Sequence, residues 1–411
     1  MLKSYINKIR YSKKVSQKIA KMLEFKQFFT PSKYSNIMIN HLKMDEPIKV
    51  IDLAMGECSL LIEAQRKWAS SEFFGNDIDP ECCLKIEEEL LNIKYFNKDI
   101  FEFDAINSIL ENVGKVDLCL GNPPFYVIKQ NDDTKKILSV FNLNSYNRGK
   151  TIPAEIIFIL QCLRILKDDG VLSLILPDGF FVNKALIYFR EFLIKNYNIQ
   201  KVIELPKNIF KRTDAKTHIL ILKNNKSKSK EIKLINQETG ENIKILKVEA
   251  IKRMDYSYYS CLKKNENYKT LSDYDIEFIR GKSKYLINEL KDSYLLHTTN
   301  FRKTNSFKSN LKTIKQLSKH SSKVAIPNDI IIARVGSNCI GKVGMVESGY
   351  FLATDCVFII RIKEKRLREY VYKSLLSNEG QEWIKSNSKG VAARHITLED
   401  IKKFPLLENN F

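Results

Sequence analysis

The sequence predicts an α/β fold, in which a mostly parallel, doubly wound sheet is followed by a separate α+β module. Two observations predict it. Between residues 48 and 223, short apolar segments alternate with longer segments whose apolar residues recur at helical spacing. Such alternation is typical of βαβ units, because each helix returns the chain to the same edge of a parallel sheet. Beyond residue 233 the strand-like segments become shorter and the alternation is lost.

Each element of the first region can be justified by its own pattern. A short apolar run bounded by polar residues predicts a buried strand, and a longer segment with apolar residues three or four apart predicts a helix. The predicted strands are residues 48–54, 73–78, 115–120, 170–177, 199–205 and 216–223. The predicted helices are residues 60–69, 81–91, 153–166 and 185–196.

Changes in composition predict the domain boundaries. Residues 1–25 carry apolar residues at helical spacing among lysines, which predicts a basic N-terminal helix. The polar run "KNNKSKSKEIK" ends the alternating region and is typical of a linker. We therefore predict that this helix is followed by a domain over 26–223, a linker over 224–233 and a second domain over 234–411.

The charge of the chain indicates its class of partner. The 411 residues include 68 Lys and Arg against 48 Asp and Glu, which gives a formal net charge of +20. Such an excess attracts polyanions, so nucleic acid is the leading partner. A lysine-rich, low-GC genome would also produce a basic surface, and charge alone leaves that alternative open.

Two further features bear on location and metal content. The longest apolar runs are too short to cross a bilayer, and the N-terminal segment lacks the apolar core of a signal peptide. We therefore expect a cytoplasmic protein without membrane contact. The eight cysteines are scattered and form no CxxC pair. Neither a disulfide framework nor a metal site is expected.

The segment "LCLGNPPF" ends a predicted strand with two adjacent prolines. Proline donates no hydrogen bond to a neighbouring strand, so the strand must stop here. At its carboxyl end the chain then presents the Asn122 amide, bare carbonyl groups and the Phe125 ring. Ligands of open α/β sheets bind outside the carboxyl ends of the strands. This turn is therefore the leading candidate for the chemistry.

Acidic residues occur in three other segments that favour cofactor binding. Asp52 lies in "VIDLAMG", Asp77 and Asp79 lie in "GNDID", and Asp99 lies in "NKDIF". An acid roughly 20 residues after the first strand and turn can accept hydrogen bonds from ribose hydroxyl groups. Each acid by itself is more often a helix cap or a turn former than a ligand.

Taken in order, these segments resemble the N6 adenine-specific DNA methylase family, whose members depend on S-adenosylmethionine. "KQFFTPSKYSNIMINHL", "VIDLAMGECSLL", "GNDIDP" and "NKDIF" resemble its cofactor motifs, and "GNPPF" resembles its catalytic motif. The resemblance extends from about residue 26 to residue 223. It implies a Rossmann-like class I methyltransferase that transfers a methyl group from S-adenosylmethionine to the N6 amine of a flipped-out adenine.

The resemblance also implies roles for individual residues. Phe210, in "IFKRTDAKTHILIL", corresponds to an aromatic residue that packs against the flipped base. Cys58 departs from the family pattern, because its side chain stands where glycine is typical. The implied catalytic residues are Asn122, Pro123, Pro124 and Phe125. The implied cofactor-binding residues are Thr30, Pro31, Asp52, Ala54, Gly56, Asp77, Asp99 and Ile100.

The C-terminal module resembles the target-recognition domains of type I restriction specificity subunits. The segments that carry this resemblance are "LSDYDIEFIRGKSKY", "ARVGSNCIGKVGMV", "ATDCVFIIR" and "KGVAARHITLEDIKKFPL". It implies that the module holds double-stranded DNA. Four polar residues on these segments could reach phosphates or base edges, namely Arg334, Ser337, Lys342 and Arg394.

The function predicted from the sequence is therefore site-specific adenine-N6 methylation of DNA, in a restriction-modification system or by an orphan enzyme. One alternative is a catalytically degenerate DNA-binding or specificity subunit. Another is an RNA or protein-glutamine methyltransferase, because those enzymes share the Asn-Pro-Pro-aromatic motif. The sequence leaves open whether a cognate restriction endonuclease or another partner subunit is required.

Overall fold

The computed structural model of the protein divides into two compact units, Met1–Tyr256 and Ser257–Phe411. The structure describes residues 30–82, 92–207, 209–210, 216–227, 229–264, 268–283, 294–302, 304–311, 323–336, 338–389 and 394–406. The predicted basic helix over 1–25 lies outside the described residues.

A nine-stranded sheet forms the centre of the first unit, in the order β11-β10-β8-β9-β7-β4-β1-β2-β3. Its strands are β1 Lys49–Asp52, β2 Glu72–Asn76, β3 Lys94–Phe96, β4 Val116–Gly121, β7 Leu166–Pro177, β8 Asn198–Glu204, β9 Thr217–Lys223, β10 Glu231–Asn236 and β11 Asn242–Leu246. Strands β7, β4, β1, β2 and β3 run parallel to one another. Strand β9 is antiparallel to both of its neighbours, β7 and β8. The predicted, mostly parallel sheet is confirmed.

Helices pack around this sheet and contribute apolar faces to its core. The helix Ala154–Ile165 is buried along almost its whole length, as expected for a segment whose apolar residues cover every side. The described helices of the first unit are α1 Ser32–His41, α2 Ser59–Lys67, α3 Phe103–Val113, α4 Asp132–Val140, α5 Ala154–Ile165, α6 Asp178–Val182, α7 Ile187–Asn196 and α8 Lys247–Lys252.

The strand order creates a switch point between β1 and β4. From β1 the chain continues through β2 and β3 on one side, and from β4 it continues to β7 on the other. The loops that follow β1 and β4 therefore diverge and leave a crevice at the carboxyl edge of the sheet, which is where ligands of doubly wound sheets bind.

The first unit extends beyond the linker predicted over 224–233. Strand β10 pairs in parallel with β8 and antiparallel with β11, so the lysine-serine run is a turn within one sheet. The division between the units falls instead after Tyr256. Composition was a poor guide because a surface turn between an inner strand and the next strand is as polar as a linker between domains.

The segment that follows the Asn-Pro-Pro-Phe turn is also ordered. Strands β5 (Val127–Lys129) and β6 (Thr151–Pro153) form an antiparallel pair. Helix α4 lies between them and begins with a capping box, in which Asn131 and Thr134 satisfy each other's backbone N–H groups. This pairing brings the chain back, so that α5 begins next to the turn.

The second unit is an α+β module built on small sheets, as predicted. A five-stranded sheet has the order β13-β20-β17-β18-β15, and a three-stranded sheet has the order β14-β19-β16. The strands of the unit are β12 Lys269–Thr270, β13 Glu277–Arg280, β14 Leu295–Leu296, β15 Ser306–Lys308, β16 Val324–Ala325, β17 Ile330–Ala333, β18 Val343–Ser348, β19 Phe351–Ala353, β20 Val357–Arg361 and β21 Pro405–Leu406. Its helices include α9 Tyr256–Lys264, which starts at the boundary, α10 Lys365–Leu376, α11 Asn378–Asn387 and α12 Leu398–Lys402.

Across the described parts of both units, no helix is sufficiently long and apolar to span a membrane.

Candidate active site

Two adjoining cavities open at the carboxyl edge of the first unit's sheet, at the switch point. The larger has about 690 Å³ of space between its walls, and the smaller has about 260 Å³. Ala54, Gly56 and Asn122 line both. The larger cavity is also lined by Leu53, Asn76, Asp77, Ile78, Lys98, Asp99, Ile100, Phe101, Pro124 and Tyr126. The smaller is also lined by Thr30, Asp52, Met55, Glu57, Ser59 and Leu60.

Asp52 ends strand β1 and lies at the floor of the smaller cavity. Its side chain is 1% exposed, and its Oδ1 accepts a hydrogen bond from the Ala54 N–H at 2.9 Å. Burial, together with the nearby negative charge of Asp77, raises the pKa of Asp52 to about 7 in spite of that hydrogen bond. An acid in this state gains strongly from a cationic ligand group, because the cation stabilises its ionised form.

Asp77 joins the loop after β1 to the loop after β2. Its Oδ2 accepts from the Gly56 N–H at 2.9 Å, and its Oδ1 accepts from the Asp79 N–H at 2.9 Å. Burial raises the pKa of Asp77, and these hydrogen bonds only partly offset it. A carboxylate has lone pairs for about four hydrogen bonds, so Asp77 can still accept from ligand hydroxyl groups.

Cys58 takes the backbone conformation that the expected glycine would adopt. Its φ of 61° lies in the left-handed region, where a side chain costs about 1–2 kcal/mol. The Cys58 side chain packs into the apolar core with Leu61 and Trp68, and it lines neither cavity. The departure from the family pattern thus strains the loop locally without filling the space that a ligand would need.

Asp99 and Ile100 form the far wall of the larger cavity. The Asp99 carboxylate accepts from the Phe101 N–H at 2.9 Å, and the Ile100 carbonyl accepts from the buried Gln161 side chain at 2.7 Å. Asn76 holds this wall to the rest of the site, because its Nδ2 donates to the carbonyls of both Leu53 and Lys98. The wall is therefore fixed by hydrogen bonds within the protein.

The Asn122 turn adjoins both cavities. A Cβ at the preceding residue, Gly121, would lie 3.1 Å from both Phe158 and Leu174, so glycine lets α5 approach the end of β4 closely. Asn122 Nδ2 donates to Thr30 Oγ1 at 3.1 Å. Ser59 Oγ in turn donates to the Thr30 carbonyl at 2.8 Å. Residues from three distant sequence segments thereby meet at one point.

The remaining catalytic candidates contribute unequally. Pro124 lines the larger cavity, whereas Pro123 is buried. Pro31 lines neither cavity and instead stands at the N-cap of α1, where its carbonyl accepts from the Tyr34 and Ser35 N–H groups. Phe125 packs edge-on against Phe210, with 6.2 Å between ring centroids.

Phe210 is buried, and its contact with a flipped base stays a prediction. It is 3% exposed and belongs to the apolar core of the first unit. Its observed contact is with the Phe125 ring, which is partly buried and nearer the turn. In this structure the Phe210 ring packs against the Phe125 ring and helps to hold it in place.

A buried ionic cluster holds the two stems of the loop that carries Phe210. Glu204 ends β8 and Lys216 precedes β9, and Lys216 Nζ lies 2.8 Å from Glu204 Oε1. The Asp178 N–H donates to the Lys216 carbonyl at 2.9 Å, and the Asp178 carboxylate pairs with His218 at 2.9 Å. Burial would lower the pKa of Lys216, but the charges of Glu204, Asp178 and Asp255 outweigh it and raise that pKa.

Sequence reasoning missed several residues of the cavities. Tyr126 directly follows the catalytic motif and lies edge-on to Phe101, with 6.4 Å between ring centroids. Burial and the charge of Asp99 raise the pKa of Tyr126. Ile78 is 45% exposed, and its apolar surface forms part of the wall. Tyr126 adjoins the catalytic motif, and Phe101 and Ile78 lie within the cofactor motifs, so their positions were the available signal.

In the second unit, the described DNA-binding candidates lie on one set of turns. The Gly336 N–H donates to the Arg394 carbonyl at 2.9 Å, which joins the turn after β17 to the segment before α12. The Arg334 guanidinium is half-buried and donates to the Asp355 carbonyl at 2.6 Å, so it has a structural role as well. Lys342 is exposed. Ser337 lies outside the described residues.

Comparison with known proteins identifies the family of the chain. The sequence matches the model of the N-6 DNA Methylase family over residues 16–288, about two thirds of the chain. The chain belongs to the N-6 DNA methylase family. Residues 260–407 match a second model, the type I restriction modification DNA specificity domain. The nine-stranded unit thus has the Rossmann-like class I methyltransferase fold that the sequence predicted.

Individual relatives of this methylase are distant. It is 25% identical over 231 residues to the type I restriction enzyme MpnII methylase subunit of Mycoplasma pneumoniae, covering 51% of this chain and 42% of the relative. It is 25% identical over 182 residues to the type II restriction enzyme and methyltransferase RM.Eco57I of Escherichia coli, covering 44% of this chain and 16% of the relative. The chain therefore spans less than half the length of either relative.

Part of the chain is also similar to a solved structure. The methyltransferase subunit of a type I restriction-modification system from Streptococcus thermophilus aligns with a TM-score of 0.43 and 23% identity. That alignment covers 58% of this chain and 57% of the other.

The cavities fit S-adenosylmethionine, the cofactor of this family. Asp52 and Asp77 are buried carboxyl groups whose raised pKa values would be relieved by cationic or hydroxyl-bearing ligand groups. The larger cavity combines the Asp99 carboxylate with apolar walls from Ile78 and Ile100, which suits an adenine ring. Asp52 in the smaller cavity and the slot beside Asp99 in the larger cavity match the two ends of that cofactor.

Proposed function

We propose that this methylase transfers a methyl group from S-adenosylmethionine to the N6 amine of an adenine in double-stranded DNA. The observation that carries the proposal is the place of the Asn122 turn. Asn122 lines both the cavity that contains Asp52 and the cavity that contains Asp77 and Asp99. A substrate group held by the turn would therefore face a ligand held by the three acids.

The chemistry of the turn suits an exocyclic amine. The lone pair of an adenine amine is delocalised into the ring, so the nitrogen is a poor nucleophile. Two acceptors, the Asn122 side-chain oxygen and the Pro123 carbonyl, can hold both amine hydrogens and favour a pyramidal nitrogen with an available lone pair. The ring of Pro123 fixes its φ, and the following Pro124 restricts the ψ that sets the direction of the Pro123 carbonyl. When bound, S-adenosylmethionine supplies an electrophilic methyl group.

The surrounding residues would position the reactants. Phe125 offers a ring for the extruded base, and stacking of about 1–3 kcal/mol would offset much of the cost of flipping. Phe210 would act indirectly, by fixing Phe125. Holding two reactants in line removes much of the entropic barrier to a displacement reaction.

We infer that the second unit holds the DNA. Its match to a specificity domain and the basic groups Lys342 and Arg394 support this role.

The competing candidate is a degenerate DNA-binding subunit that no longer binds the cofactor. Calorimetric titration with S-adenosylmethionine separates the two. We expect saturable binding with a dissociation constant below the millimolar range. The absence of heat at millimolar ligand would favour the degenerate subunit.

The direct test replaces the catalytic amide. Asn122→Ala removes one of two acceptors, and we expect methyl transfer to fall by at least about 100-fold, as for loss of one preorganised polar group elsewhere. DNA affinity should change little, because the residue acts on the amine and not on the backbone. The measurement is long-read methylome sequencing of a methylation-deficient host that expresses each variant.

Asn112→Ala is the matched control, since Asn112 is exposed on α3 and the substitution removes the same side chain. It should methylate as the wild type does. If Asn122→Ala methylates normally, or loses DNA binding in the same proportion as activity, the assigned role of Asn122 is wrong.

A further inference from the structure

Thr30 connects three functional parts of the site. Its hydroxyl accepts from Asn122 Nδ2 at 3.1 Å, and its carbonyl accepts from Ser59 Oγ at 2.8 Å. Thr30 is 8% exposed, and it lines the smaller cavity beside Asp52. The Thr30 hydroxyl thus contacts the Asn122 amide, and Thr30 also lines the space proposed for the cofactor.

The smaller cavity has the chemistry of an amino-acid site. Asp52 provides a buried acid for an ammonium group. The N-terminus of the nine-residue helix α2 opens onto the same cavity through Ser59 and Leu60. The N–H groups at a helix N-terminus favour a carboxylate. The ammonium and carboxylate of a methionine moiety would then lie on either side, with Thr30 next to the carboxylate.

A threonine hydroxyl has one proton to donate and lone pairs to accept with, whereas a carboxylate only accepts. If the hydroxyl donates its proton to a carboxylate, only its lone pairs remain for Asn122. Asn122 must then present its NH₂ group to Thr30, as it does in the structure. The Asn122 side-chain oxygen is then not the atom that bonds to Thr30, and its lone pairs can accept from a substrate amine.

We propose that Thr30 is a positioning residue that couples cofactor binding to the orientation of the Asn122 amide. The inference rests on the proposed function and deepens it: an occupied cofactor cavity holds the Asn122 amide in the orientation seen in the structure, which is the one that grips the target adenine. Cofactor and DNA should therefore bind cooperatively, and the Thr30 hydroxyl should carry the coupling.

The test measures binding rather than turnover. The probe is S-adenosylhomocysteine, which retains the carboxylate and lacks the methyl group. The dissociation constant for a fluorescent duplex that contains the site found by methylome sequencing is measured by anisotropy, with and without saturating probe. For the wild type we expect the probe to tighten DNA binding at least about fivefold, the lower end of typical coupling between sites.

Thr30→Val keeps the shape and deletes the hydroxyl, so we expect the probe to change DNA affinity less than about twofold. Thr30→Ser restores the hydroxyl and should restore the coupling. Thr239→Val, on an exposed turn, is the matched control and should behave as the wild type. If Thr30→Val has a lower melting temperature than the wild type, Thr30→Ala is used in its place, because it removes the hydroxyl without adding bulk.

The outcomes separate the two proposals. If the wild type binds S-adenosylhomocysteine and Thr30→Val shows the same coupling as the wild type, the role of Thr30 is overturned and the proposed function stands. The same holds if the wild type binds the probe but shows no coupling. A wild type that does not bind the probe at all overturns both proposals.

Discussion

Asp52→Asn should stabilise the protein, and the gain should depend on pH. The folded protein raises the pKa of Asp52 from 3.8 to about 7, so an ionised Asp52 opposes folding. At about 1.4 kcal/mol per pKa unit, this opposition amounts to about 4 kcal/mol above pH 7. At pH 5 Asp52 is mostly protonated in the folded state, and only about 1.5 kcal/mol remains.

Asparagine keeps the shape of the side chain and the acceptor for the Ala54 N–H but carries no charge at any pH. We therefore expect a free energy of unfolding about 4 kcal/mol larger than that of the wild type at pH 8, and about 1.5 kcal/mol larger at pH 5. The same substitution should weaken S-adenosylmethionine binding roughly 10- to 100-fold, because hydrogen bonds to charged groups contribute about 1.5–3 kcal/mol.

The assay is urea unfolding followed by tryptophan fluorescence. The chain has two tryptophans, of which Trp68 lies in the first unit and Trp383 in the second. A Trp383→Phe background leaves Trp68 as the sole reporter of the unit that contains Asp52. Unfolding is measured at pH 5 and pH 8 without cofactor, and cofactor affinity is measured by calorimetry.

Asp117→Asn is a control of opposite sign. Burial alone would raise the pKa of Asp117, but hydrogen bonds from Lys167 Nζ at 2.7 Å and the Lys49 N–H at 2.8 Å outweigh it and lower the pKa. The stabilisation from ionised Asp117 is complete at both pH values and is lost only in stronger acid. Asp117→Asn should thus destabilise equally at pH 5 and pH 8. If Asp52→Asn shows the same shift at both pH values, or destabilises the protein, the electrostatic account of Asp52 is wrong.

Two other predictions concern the ionic cluster and the DNA surface. Lys216→Met leaves Glu204 buried without its cation and should lower the free energy of unfolding by about 3–5 kcal/mol. The control Lys244→Met removes an exposed ion pair and should lower it by at most about 1 kcal/mol. Comparable losses for the two variants in urea unfolding would contradict the role of the cluster. DNA affinity should fall steeply with salt, and Arg394→Gln should reduce the log–log slope by about 0.9 if Arg394 contacts a phosphate. An unchanged slope in titrations from low to physiological salt would exclude that contact.

The sequence was sufficient for the order and type of most elements of the first unit. Apolar runs and helical spacing report burial directly, so β1, β4 and α5 were predicted to within a few residues. Strand-end acids and the double proline also pointed to the edge that carries the two cavities, because in a parallel sheet the carboxyl ends of all strands share one edge. These features depend on local spacing, which a sequence records.

Other features depended on contacts between distant segments. The bond between Asn122 and Thr30 joins residues 92 positions apart, and Lys216 pairs with Glu204 only because two antiparallel stems meet. The pairing of β10 with β8 likewise placed the end of the first unit after Tyr256.

By itself, then, the sequence determined the parallel sheet, the edge that carries the site and the family. The tertiary structure alone decided that Phe210 is buried behind Phe125, that Cys58 packs away from the cavities and that Asp52 has a raised pKa. The physical reason is that burial and charge environment are properties of the packed chain. A residue's sequence neighbours say little about which distant groups will surround it.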